Sequence, residues 1–292
     1  MSCDDALLRI VGNSPAMSLV KSQLKRISGT DLNFLLLGES GTGKTLMARI
    51  AHELSRRRGK PFVCINMAAI PESVMESELF GTVCGAYTGA VNKAGFVTAA
   101  GGGTLFLDEI AEMPLSSQAK LLHFVETGNF FRVGSTAENH VDVRIICATN
   151  ADLEGLVREK KFNEALYYRI RKAAIRIPPL RTRKEDIRLI SESILKKRGY
   201  SFSCFSKEAL ERLENYEWPG NVRQLDSCLQ VTCELYRDQI IGPEDLVFLK
   251  FYLRGAAAAE DSGHRRFPAC LLLRAVLFLF LICSLRDYYE FF

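Results

Sequence analysis

The chain has 292 residues, enough to bury one large domain or two smaller ones. Hydrophobic residues make up 48% and charged residues 25%, which excludes a disordered or fibrous chain. A net charge of +4 is too small to make nucleic acid the main partner. Nine cysteines without CxxC pairs or His-rich spacing suggest neither a disulfide framework nor a zinc site. The odd thiol count and an N-terminus without signal-peptide character predict a reducing, cytoplasmic setting.

From residue 7 to about 177, short apolar runs alternate with helix-like stretches. Residues 33–37 read as a buried strand and residues 43–54 as a helix. Further apolar runs lie at 61–66, 103–107 and 143–148. Strands that are apolar throughout, separated by helices, predict an α/β fold with a parallel sheet covered on both faces. Ile177-Pro178-Pro179-Leu180 interrupts this pattern. Beyond it, Ile187, Ile190, Ile194 and Leu195 recur at helical spacing, which predicts a small all-helical domain up to about residue 254. The expected division is 7–180, 181–254 and a linker with an apolar tail over 255–292.

Gly38-Glu39-Ser40-Gly41-Thr42-Gly43-Lys44-Thr45 fits G-x-x-x-x-G-K-[ST] between a predicted strand and a predicted helix. Its glycines let successive backbone N–H groups face phosphate oxygens, and the helix N-terminus adds a positive dipole end. Lys44 supplies a charge for the outer phosphates of ATP, and the Thr45 hydroxyl a ligand for Mg²⁺. Leu105-Phe106-Leu107-Asp108-Glu109 is an apolar strand ending in two acids. Asp108 is the expected Mg²⁺ ligand and Glu109 the group that polarises the attacking water. The plainer alternative is a strand followed by two solvated acids. Thr149-Asn150, at the end of the next strand, either senses the γ-phosphate or simply caps a helix.

Gly85-Ala86-Tyr87-Thr88-Gly89-Ala90, following Glu78-Leu79-Phe80-Gly81, resembles the GAFTGA hexapeptide of the NtrC-type, sigma-54-dependent activators. The resemblance extends through Ile10–Pro15, the glycine-rich loop, Leu166-Tyr167-Tyr168-Arg169, Pro178-Pro179-Leu180-Arg181 and Trp218-Pro219-Gly220-Asn221-Val222-Arg223. It covers about residues 7–250. It implies a P-loop AAA+ sheet domain followed by a helical lid, assembled as a homo- or hetero-hexamer. ATP hydrolysis in that ring would remodel sigma-54 RNA polymerase. By position it makes Asn66 the switch residue that restrains Glu109, Arg169 the arginine finger, Arg223 the lid arginine and Tyr87–Thr88 the contact tip. Read without the resemblance, the hexapeptide is a small-residue surface turn and Arg169 a helix-end arginine with an acidic partner.

Three departures stand out. Asn163 and Ala165 replace an arginine and an aspartate usual in the family, Thr82-Val83-Cys84 replaces a charged segment, and Tyr87 replaces phenylalanine. The first two raise the alternative of a weakly catalytic paralogue within a mixed ring. The ATPase pattern starts within the first dozen residues, so control by an attached receiver domain is not expected. Residues 267–292 are strongly apolar, and no helix-turn-helix pattern follows Arg254. Three explanations of that tail compete: a membrane anchor interrupted by Arg274, a helix packed on the protein, and a changed or frame-shifted end. Each predicts no sequence-specific DNA binding by this chain alone.

Overall fold

A computed structural model describes residues 3–248 apart from Asp238, and the expectations for the tail lie outside these residues. Helix α1 spans Cys3–Leu8 and α2 spans Pro15–Ser28. Ser14 caps α2 by accepting from the Met17 amide, and Pro15 occupies its first turn, where a missing N–H costs nothing. Strand β1 (Phe34–Leu37) runs through the glycine-rich loop into α3 (Lys44–Glu53). β2 (Phe62–Asn66) and α4 (Glu72–Phe80) follow. Next come the short strands β3 (Gly81–Thr82) and β4 (Lys93–Ala94), then α5 (Phe96–Ala99) and β5 (Thr104–Asp108).

After α6 (Leu115–Thr127) come the hairpin strands β6 (Asn129–Phe131) and β7 (Glu138–His140). β8 (Arg144–Thr149), α7 (Leu153–Arg158), α8 (Glu164–Ile170) and β9 (Ala174–Arg176) complete this part. The main sheet has the order β2-β5-β8-β1-β9, with every neighbouring pair parallel. A parallel sheet needs helices on both faces, and the side-chain alternation provides for them. Phe34, Leu36, Phe106, Ile146 and Ala148 pack towards α2 and α3. Leu35, Leu105, Leu107, Ile145 and Cys147 pack towards α4, α6 and α8. Burying a residue such as Phe34 or Phe106 contributes ~1.5–3 kcal/mol, so a polar substitution on either face would destabilise the sheet by at least that much. Arg144 ties β8 to the end of α2, donating to the carbonyls of Ile27, Ser28 and Leu32. Burial lowers its pKa to about 10.

The rest of the described chain is helical: α9 (Glu185–Lys197), α10 (Lys207–Asn215) and α11 (Asn221–Leu235). Their shared core contains Ile187, Ile190, Leu213, Leu225, Leu229 and the fully buried Trp218. The Trp218 indole N–H donates to the Leu213 carbonyl at 2.8 Å, which satisfies the one polar atom of the ring. This core forms the lid. Among the described residues no helix is long and apolar enough to cross a membrane.

Candidate functional site

The glycine-rich loop leaves the carboxyl end of β1, beside the end of β8, where the Gly38 amide donates to the Thr149 carbonyl. Gly41 (φ 77°) and Gly43 (φ 101°) hold the left-handed conformations that curl the loop. Lys44 is the first residue of α3 and 6% exposed, and its ammonium donates to the Gly38 carbonyl at 2.9 Å. The same ammonium stands 3.6 Å from a Glu109 carboxylate oxygen.

Two strands bring the acids to this loop. The Thr45 hydroxyl donates to Asp108 Oδ2 at 3.2 Å. The pair forms a cluster of hard oxygen donors, of the kind that Mg²⁺ takes. Asp108 Oδ1 accepts the Glu109 amide at 3.0 Å. Glu109 lies in the left-handed region (φ 51°, ψ 51°), which costs a non-glycine residue ~1–2 kcal/mol and aims its carboxylate back at the loop. Its Oε2 accepts the Asn150 amide at 3.2 Å. Residues from three elements, Lys44 and Thr45, Asp108 and Glu109, and Asn150, therefore meet at the carboxyl ends of the central strands.

Two expected members are occupied differently. Asn66 lies opposite Asp108 in the sheet register, but its side-chain oxygen accepts the Ala68 amide at 3.0 Å, capping a short 3-10 turn. Glu109 is not among its hydrogen-bond partners. The Glu39 carboxylate meets the lid, where Arg181 donates to it from both terminal guanidinium nitrogens. Arg223 also reaches the loop, its guanidinium donating to the Ser40 hydroxyl at 3.1 Å.

Sequence reasoning missed an apolar cavity of about 470 Å³ beside Gly38 and Glu39. Ala16, Leu19 and Val20 from α2 line it, facing Ala174, Ile177 and Pro179. The apolar residues of α2 and the Pro178-Pro179 turn are far apart in the sequence, and only the fold sets them against each other.

Arg169, near the end of α8, is half-buried and has no hydrogen-bond or ion-pair partner among the described residues. Asn163 caps the helix that carries it, accepting the Leu166 amide at 3.0 Å. The hexapeptide forms the loop between β3 and β4, with Tyr87 54% exposed and Thr88 also exposed. Gly85 and Gly89 (both φ 84°) turn the loop, and Ala90 is tucked in. Its base rests on the segment after β6: the Val83 amide donates to the Val133 carbonyl, and the Val133 amide to the Gly81 carbonyl.

A parallel sheet with a glycine-rich loop after β1, two acids after β5 and a helical lid over the loop define a P-loop nucleotide-binding protein of the AAA+ class. Residues 10–176 match the family described as the sigma-54 interaction domain, and residues 181–262 match the AAA+ ATPase lid domain. The chain belongs to the sigma-54 interaction domain family. It is 46% identical over 242 residues to the DNA-binding transcriptional regulator NtrC of Azospirillum brasilense, covering 82% of this chain and 50% of that protein. With the response regulator PilR of Pseudomonas aeruginosa it shares 43% over 260 residues, covering 87% of this chain and 57% of that protein. The crystal structure of NtrX from Brucella abortus in complex with ADP superposes with a TM-score of 0.75 at 35% identity, over 82% of this chain and 55% of that one. The chain thus spans about half the length of the curated relatives it matches.

Proposed function

We propose that the chain hydrolyses ATP to ADP and phosphate and uses the energy to remodel sigma-54 RNA polymerase at promoters. The observation that carries this reading is one chain holding both a Lys44–Glu109–Asp108 cluster and the exposed Gly85–Ala90 loop.

In this reading backbone amides of the glycine-rich loop and the Lys44 ammonium hold the phosphates, while the cavity between α2 and the Pro178-Pro179 turn takes the base. Thr45 and Asp108 would hold Mg²⁺, which supplies charge neutralisation at the phosphates when bound. Glu109 accepts the proton of the attacking water, and Asn150, on its far side, orients its carboxylate. Arg223 reports on the phosphates from the lid. Arg169, whose side chain has no partner among the described residues, reaches the nucleotide of a neighbour in a ring. Asn66 holds the Ala68 amide through its side-chain oxygen, and would restrain Glu109 by turning its side-chain NH2 to that carboxylate, which makes it the switch residue. Tyr87 and Thr88 contact sigma-54.

One observation favours a second reading, a weakly catalytic subunit of a mixed ring. Asn163 stands where relatives of this type carry a second arginine, and it spends its side chain on capping α8. The ATPase rate, followed against protein concentration with and without sigma-54, separates the two. An active ring gives turnover that rises with concentration, and Arg169→Ala mixed with Lys44→Ala recovers hydrolysis at junctions pairing an intact finger with an intact loop. Concentration-independent turnover rejects the ring, and no turnover at any concentration favours the regulatory subunit.

A further inference from the structure

The nucleotide loop is held from the lid along three consecutive residues. Arg181 donates to both carboxylate oxygens of Glu39, at 2.7 and 2.5 Å. The Asn221 carboxamide donates to Glu39 Oε2 at 3.2 Å and to the Ser40 carbonyl at 3.0 Å. The Arg223 amide donates to the Gly41 carbonyl at 3.3 Å. Asn221 is fully buried, holds a left-handed backbone (φ 52°), and uses its side-chain oxygen to accept the Leu180 amide at 2.8 Å. Asparagine is among the few non-glycine residues that adopt this conformation readily. The fit is close enough that a Cβ on Gly41 would lie 2.3 Å from the Gly220 carbonyl oxygen.

We propose that Arg181 and Asn221 are positioning residues for nucleotide binding, acting through Glu39 to neutralise and shape the loop that takes the phosphates. Glu39 places a carboxylate on a loop meant for a polyanion, and an unpaired carboxylate that near opposes phosphate binding. The Arg181 fork cancels that charge at the carboxylate and uses none of the loop's backbone amides. In keeping with this, the Arg181 hydrogen bonds hold the Glu39 carboxyl below its ordinary range, with Asn221 adding to the effect against burial.

The competing account is an ordinary surface ion pair. Arg181 and Glu39 side chains are 38% and 41% exposed, and pairs of that kind add little to stability. The two accounts predict different measurements. A surface pair affects neither folding nor nucleotide affinity, whereas the positioning role affects affinity while the protein stays folded.

The proposal rests on residues 38–45 being the nucleotide loop. The test is binding of a fluorescent ATP analogue to the full chain, with thermal unfolding as the check on folding. Arg181→Gln should weaken affinity ~10-fold, about 1.4 kcal/mol, with an unchanged melting curve. Glu39→Gln/Arg181→Gln should bind within ~3-fold of Glu39→Gln alone, because the uncompensated charge is gone. In turnover the loss should appear in KM more than in kcat. Additive effects of the two substitutions, or wild-type affinity in Arg181→Gln, would overturn the proposal. Lys44→Ala separates this from the parent reading: wild-type affinity in that variant refutes the loop assignment itself. If Lys44→Ala loses binding and Arg181→Gln does not, the positioning role alone fails.

Discussion

Asp186, in the first turn of α9, ties the lid to the turn that leads into α2, and its removal is the most informative perturbation of the scaffold. The side chain is 1% exposed. Its Oδ1 accepts the Asn13 and Ser14 amides at 2.7 and 2.9 Å, and Oδ2 accepts the Ser14 hydroxyl at 2.6 Å. Gly12 (φ 127°) passes so close that a Cβ there would meet Asp186 Oδ2 at 2.8 Å. In Asp186→Ala the amide of exposed Asn13 turns to water, but the Ser14 amide and hydroxyl are buried. Two orphaned buried donors cost ~1–3 kcal/mol each, so the total is about 4 kcal/mol. Asp186 is also the acid that acts on Arg183, whose Nε and Nη2 are buried without hydrogen-bond partners among the described residues and whose pKa burial lowers. The loss therefore leaves a buried cation less compensated, which adds in the same direction. At ~2–4 °C per kcal/mol for a protein of this size, the melting temperature should fall ~8–16 °C. Urea unfolding of the full chain measures the change, with Asp152→Ala as control, since that carboxylate is 73% exposed. A cost below ~1.5 kcal/mol for Asp186→Ala refutes the tether, because two buried donors cannot lose a charged acceptor that cheaply.

Glu109→Gln should bind ATP within ~3-fold of wild type and lose ~10²–10⁴-fold in turnover, measured by binding and phosphate release side by side. Wild-type turnover in that variant would remove Glu109 as the base. Burial holds the His52 imidazole, which meets the Thr104 hydroxyl at 2.9 Å, below its ordinary pKa. The unfolded chain therefore takes up a proton that the folded chain refuses. The contribution is present above pH ~6.5 and lost as the pH falls below it, by at most ~1.4 kcal/mol per pH unit. His52→Gln should remove that part of the slope between pH 5 and 7 in unfolding titrations, and an unchanged slope contradicts the assignment.

The parts of the fold legible in the sequence are those whose chemistry is contiguous. The strands around Leu35, Ile65, Phe106 and Ile146 are short and apolar throughout, because both faces of a parallel sheet are covered. The loop of residues 38–45 and the Asp108-Glu109 pair each carry their signature within a few residues, and the fold sets them against each other. The edge strand β9 was not legible: Ala174 and Arg176 are exposed, and only Ile175 between them faces the core. The polar hairpin of β6 and β7 escaped for the same reason, since its outer residues bury little. The links between Glu39 and Arg181, and between Ser14 and Asp186, join residues 142 and 172 positions apart. No local pattern announces such pairings; they appear only when the lid is docked. The same docking gives the Glu39 carboxylate its partners on the lid.

The central claim is that ATP hydrolysis at Lys44, Asp108 and Glu109 drives a sigma-54 contact made by the loop carrying Tyr87 and Thr88. The most direct measurement is open-complex formation by purified sigma-54 RNA polymerase on duplex promoter DNA, with the full chain and either ATP or a non-hydrolysable analogue. The account predicts open complexes with ATP alone, and for Thr88→Ala an ATPase rate near wild type without open complexes. Open complexes formed equally well with the analogue, or by Thr88→Ala with ATP, would contradict it.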